Sequence, residues 1–164
     1  MAGIRTLLLA ALVAITGCAS VPPAPPQPNI YVMRHLNTPA GATNPDLTPE
    51  GQATAQAFAA WFAKDPPGTI YVSSTKRAQQ TAAPTAVRYA VTPKVYDPAD
   101  SDALVASVLR ETGTVLVVGH SNTVPDIVEK LGGQRPAPLV HEDFGDVWRV
   151  AGPARVTTHF KIGE

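Results

Sequence analysis

Three apolar runs, far apart in the chain, each stop at a cation or an imidazole. Ile30–Thr38 reads I-Y-V-M-R-H-L-N-T, Tyr71–Ala82 reads Y-V-S-S-T-K-R-A-Q-Q-T-A, and Val115–Thr123 reads V-L-V-V-G-H-S-N-T. Each opens as a buried strand would, with apolar residues on both faces, and a helix signal follows each. Strands alternating with helices predict a mainly parallel, doubly wound sheet in a three-layer α/β/α sandwich. Ligands of such sheets bind beyond the C-terminal ends of the strands. Arg34, His35, Arg77 and His120 all fall at those ends.

The other elements follow from local signals. Leu47–Trp61 reads as a helix with Thr48 as N-cap and Pro49 in its first turn. Ala53, Ala57, Ala60 and Trp61 are its expected inward face. Lys76–Val87 reads as a helix that Pro84 should kink or stop early. Val91–Val95 is a short peripheral strand because of Pro93. Asp100–Glu111 is a helix with Leu104, Val105, Val108 and Leu109 inward. Thr123–Leu131 is a helix closed by Gly132 and Gly133. Val147–Val150 and Val156–Phe160 form a hairpin about Gly152 and Pro153.

The N-terminus reads differently. Arg5 precedes an apolar core, Leu7–Ile15, and small residues follow. This is the pattern of an export signal, too short to span a membrane. Its end, I-T-G-C, resembles a bacterial lipobox and holds Cys18, the one cysteine of the chain. The expected division is a signal peptide over 1–17, a lipidated Cys18 with a linker over 18–28, and a folded domain over 29–164. Five of the eight residues Val21–Pro28 are proline, which favours an extended polyproline II spacer. Attachment to the cell envelope would then rest on lipid, because the chain has 13 basic and 13 acidic residues and no polybasic run. The same balance argues against a nucleic-acid partner. The histidines are too dispersed for a metal site, and nothing calls for a cofactor.

Two guanidiniums and two imidazoles at neighbouring strand ends suit a phosphate monoester. Guanidinium grips phosphate oxygens bidentately. Imidazole can attack phosphorus and form a phosphoenzyme that water hydrolyses. A protonated second imidazole supplies a charge-assisted donor.

At this point the three runs resemble the histidine phosphatase superfamily, also called phosphoglycerate mutase-like. Its pattern is an early R-H-G, a helix start S-x-x-x-R-A-x-x-T-A, and a late G-H. Arg34-His35, Ser73–Ala82 and Gly119-His120 match in order, and Leu47–Ala55 matches the family's L-T-x-x-G-x-x-x-A segment. The resemblance implies that His35 is the phosphorylated nucleophile and that Arg34, Arg77 and His120 hold the phosphoryl group, with His120 also in the catalytic set. Asn37, where the family often has a polar residue, joins the phosphate ligands. The family's general acid is a carboxylate after the third strand. Here Asp97, Asp100 and Asp102 are available, Asp100 is preferred, and a helix-capping role competes with it. Glu50 is a lesser candidate that serves the helix terminus instead. Leu36 replaces the family's glycine after the nucleophile, and Gly41 replaces an asparagine six positions after it. Leu36 would narrow the pocket or demand another backbone angle.

The expected function is an exported phosphomonoesterase acting on a small phosphorylated substrate through phosphohistidine. The alternative is a phosphate-binding envelope protein of the same fold with turnover weakened or lost. A phosphoglycerate mutase fits poorly, because the domain is short and mutase substrates are cytoplasmic. His141 and His159 match no motif and read as structural or exposed.

Overall fold

The computed structural model describes residues 27–163, so the leader, Cys18 and most of the proline-rich spacer lie outside the described residues. Six strands form one sheet: β1 (Asn29–Arg34), β2 (Thr69–Ser73), β3 (Lys94–Tyr96), β4 (Thr114–Gly119), β5 (Asp146–Ala151) and β6 (Val156–Lys161). Their order across the sheet is β3-β2-β4-β1-β5-β6. The first four are mutually parallel, and the β5–β6 hairpin adds an antiparallel edge beside β1. Four helices cover the faces: α1 (Pro49–Trp61), α2 (Lys76–Arg88), α3 (Ser101–Val108) and α4 (Val124–Lys130).

Alternation along the strands builds two cores. Met33, Ile70, Val72, Leu116 and Val118 meet α1 and α2 through Ala55, Phe58, Ala78 and Ala82. Ile30, Val32, Val115 and Val117 meet α3 and α4 through Leu104, Val108, Ile127 and Val128. β4 lies between β2 and β1 and is buried along its whole length. Asp65 ties the N-terminal edge together, accepting from Asn29 Nδ2 (3.2 Å), Tyr31 Oη (2.7 Å) and the Thr114 hydroxyl.

Several local expectations need correction. α1 starts as expected, with Thr48 accepting from the Gly51 amide, but it buries Gly51, Ala55, Phe58 and Ala59. Ala53, Ala57 and Ala60 face outward, and Trp61 sits at the rim. In an alanine-rich helix the one large ring that fits the sheet decides the face, and that ring is Phe58. Gly51 adds to this: a Cβ there would lie 2.7 Å from the Asn37 carbonyl oxygen, so the glycine lets the start of α1 close onto the segment after β1. α2 continues through Pro84 to Arg88 without stopping. α3 is shorter than predicted, and Leu109 at its C-cap is 41% exposed. β3 begins after Pro93, at the sheet edge, and spans only Lys94–Tyr96.

Candidate active site

Sheet register brings the strand-end residues together. Arg34 pairs with Gly119 across β1 and β4, so the next residues, His35 and His120, emerge side by side. Their rings lie 5.5 Å apart. Val72 pairs with Val118, which sets Ser73 beside Gly119. Ser73 Oγ then lies 2.9 Å from His120 Nε2. Arg77 enters from the first turn of α2. Arg34, His35, Arg77 and His120 line one cavity of about 420 Å³, with Thr38, Gly41, Asn44, Ser121, Asn122 and His141. A larger apolar groove between α1 and α2 includes none of these residues.

The His35 ring has a fixed tautomer. Its Nδ1 lies 2.9 Å from the Leu36 carbonyl oxygen. A carbonyl only accepts, so Nδ1 carries the proton and Nε2 keeps its lone pair. Burial pushes the His35 imidazole down to about 3, opposed by the Leu36 bond and assisted by the positive field of Arg34, His120 and Arg77. Burial, then Arg77 and Arg34, lower His120 to about 4. Both rings are therefore neutral at pH 7. A dianion among these cations would reverse the field and favour a protonated His120.

Arg34 is half committed. Its Nη1 donates to the carbonyls of Val140 (2.6 Å), His141 (3.0 Å) and Asp143 (3.3 Å), and its guanidinium carbon stands 4.2 Å over the Phe144 ring. Its Nε is buried without a partner, as is Nδ1 of His120. Buried polar groups in a folded protein are normally satisfied, and an anion in this cavity could supply the partner that these two atoms lack. Burial lowers the Arg34 guanidinium from its ordinary value, which is high enough that the charge persists. Among the described residues neither Arg34 nor Arg77 forms a salt bridge with a carboxylate.

Three hydroxyls that sequence reasoning passed over position this machinery. Ser73 holds His120 through Nε2. Thr123 Oγ1 accepts the His120 amide at 3.0 Å. Thr81 Oγ1 accepts the Leu36 amide at 2.9 Å and donates to the Arg77 carbonyl at 2.8 Å, joining the segment after His35 to the turn that carries Arg77. The S-x-x-x-R-A-x-x-T-A spacing held that signal for Ser73 and Thr81. Thr81→Val keeps the shape, orphans the buried Leu36 amide, and is expected to cost about 1–3 kcal/mol of stability by urea unfolding.

The predicted acid is not in the site. Asp100 caps α3, its Oδ1 accepting from the Ala103 amide at 2.9 Å. Asp97 accepts the Ala99 amide at 2.9 Å. Asp102 is an exposed partner of Lys130. None of the three lines the cavity; short aspartates next to a helix start satisfy backbone donors first. Asn37 is also displaced. It lines a neighbouring cavity with Glu50, Glu142 and Lys161, and Thr38 takes its place beside His35. Leu36 does not narrow the pocket: it is fully buried in the α1–α2 core and needs no positive φ. Gly41 lines the cavity with φ +70° and supplies no side-chain contact. His159 bonds Asp146 at 2.8 Å, away from the site. His141 is exposed, one of the two outcomes expected of it, and it also lines the cavity.

Residues 30–99 match the family model of the histidine phosphatase superfamily (branch 1). The chain superposes on the protein histidine phosphatase SixA complexed with tungstate, with a TM-score of 0.62 and 21% identity over 82% of this chain and 95% of that one. It also superposes on a mycobacterial glucosyl-3-phosphoglycerate phosphatase, with a TM-score of 0.64 and 14% identity over 82% and 97% of the two chains. At these identities the likeness is one of fold. No curated protein sequence matches.

Proposed function

We propose that this chain, whose residues 30–99 match the family model of the histidine phosphatase superfamily, is an exported phosphomonoesterase working through a phosphohistidine on His35. The carrying observation is the His35 ring, whose Nδ1–H donates to the Leu36 carbonyl and leaves the Nε2 lone pair for chemistry, beside two guanidiniums that form no salt bridge with a carboxylate among the described residues. The substrate phosphoryl group binds between Arg34, Arg77 and His120. The His35 Nε2 lone pair forms a bond to phosphorus as the bond to the leaving oxygen breaks. Water then attacks the phosphoenzyme, and the P–N electron pair returns to Nε2. Positioning and charge stabilisation carry most of such a reaction. Leu36 no longer argues for a weakened enzyme, since its side chain lies outside the cavity.

Quenching a reaction with a phosphorus-labelled ester tests this. An acid-labile, base-stable label on the peptide containing His35 is expected. Phosphate binding with neither label nor turnover would favour the binding-protein alternative.

One observation favours a second reading. Among the described residues no carboxylate lines the cavity. A P–N substrate such as protein phosphohistidine, named for the tungstate-bound neighbour, carries a leaving nitrogen that solvent can protonate beforehand. Faster turnover of a phosphoramidate than of any ester would select it.

Export and attachment to the envelope rest on the leader and Cys18, outside the described residues. Among the described residues no helix is long and apolar enough to cross a membrane. The intact mass of the mature protein tests this part: an N-terminus other than an acylated Cys18 refutes it.

A further inference from the structure

Ester hydrolysis requires a proton for the departing oxygen, and among the described residues no carboxylate lines the cavity around His35 to give it. Asp143, within the loop whose carbonyls Arg34 binds, accepts the Val140 amide on Oδ2 at 2.7 Å. Glu142 and Glu50 line the adjacent cavity with Asn37 and Phe144. One titratable side chain of the site remains without a role, His141.

The loop carrying His141 is held by the site itself. Arg34 Nη1 binds the carbonyls of residues 140, 141 and 143. The Phe144 ring lies against the same guanidinium at 4.2 Å. That ring lies 6.0 Å from the His35 imidazole and 5.5 Å from that of His141. His35 is 5% exposed and forms the floor, whereas His141 is exposed at the mouth. In-line displacement sends the leaving oxygen away from the nucleophile, here from the floor toward the mouth.

We propose that His141 is the general acid–base of this site, a role that rests on the phosphohistidine reading above. In the first step His35 Nε2 bonds to phosphorus, the P–O bond pair goes to the leaving oxygen, and the His141 imidazolium gives that oxygen its proton. In the second, neutral His141 takes a proton from water as the water oxygen bonds to phosphorus. The P–N pair returns to His35, and His141 ends as it began. Imidazole is the side chain that changes charge between pH 5 and 8. The charged and titratable groups that share its cavity are Arg34 from β1, His35 just after β1, Arg77 from α2 and His120 just after β4, and Glu142 and Asp143 adjoin it on its own loop.

The test compares p-nitrophenyl phosphate, whose phenolate leaves without a proton, with an alkyl phosphate. His141→Ala is expected to lower kcat on the alkyl ester by roughly 10²–10⁴-fold, and on the nitrophenyl ester by less than about tenfold. It should still form phosphoenzyme from the nitrophenyl ester. The pH profile of the wild type on the alkyl ester should carry a limb that the variant lacks. His141→Glu should recover part of the loss. An equal loss on both esters overturns the assignment, as does no loss on the alkyl ester or a wild type that cleaves only the nitrophenyl ester. If His35→Asn instead retains wild-type turnover, the parent phosphohistidine reading fails, a result separable from failure of His141 alone.

Discussion

His35→Asn is expected to lower kcat on an aryl phosphate by roughly a thousandfold or more, with no phosphoenzyme trapped. Asparagine is the informative replacement. Its side-chain amide can donate to the Leu36 carbonyl as Nδ1 does now at 2.9 Å, so the loop keeps its bond while the nucleophilic lone pair is lost. Arg34, Arg77 and His120 remain, so inorganic phosphate should still inhibit any residual activity with an affinity near that of the wild type. The loss therefore belongs in kcat. A drop in phosphate affinity of similar size would mean that the substitution had disturbed the grip. A kcat within tenfold of wild type would remove His35 from the chemistry.

The four strand-end residues were legible because parallel sheets make them so. A buried parallel strand is a continuous apolar run, and register across β1 and β4 then forces His35 and His120 together. What lay hidden depended on contacts between remote segments. The loop bearing His141 reaches the site because Arg34 binds carbonyls more than 100 residues away, and a loop without a motif carries no local sign of that. The displaced Asp100 shows the converse. A carboxylate before a helix fits a capping role and a catalytic role equally well in sequence, and only its bond to the Ala103 amide separates them. The inward face of α1 was misread for a similar reason. Evenly spread alanines define two equivalent stripes, and the sheet selects the one bearing Phe58.

The same buried imidazoles should make the protein sensitive to mild acid. In an unfolded chain each histidine titrates near 6.5. In the folded protein burial and the neighbouring arginines hold His35 down to about 3 and His120 to about 4. Above pH 6.5 both are neutral in both states and contribute no pH dependence. As pH falls through 6.5 the unfolded chain takes up about two protons that the folded chain refuses, so stability falls with pH. The slope has a ceiling of about 1.4 kcal/mol per pH unit for each imidazole, and water in the open cavity keeps the observed value below it. Glu111 and Asp126, whose carboxylates are lowered by Lys94 and by Ser101 respectively, lose their contribution only at lower pH, through their own depressed values. The window from pH 6.5 to 4.5 thus isolates the site. Urea midpoints measured across it should fall steeply for the wild type and much less for the His35→Asn, His120→Asn double variant. Saturating phosphate should flatten the wild-type curve as well, because a bound anion favours a charged His120. Parallel curves for the two proteins would show that the acid sensitivity lies elsewhere and that the two imidazoles are not held neutral by this site.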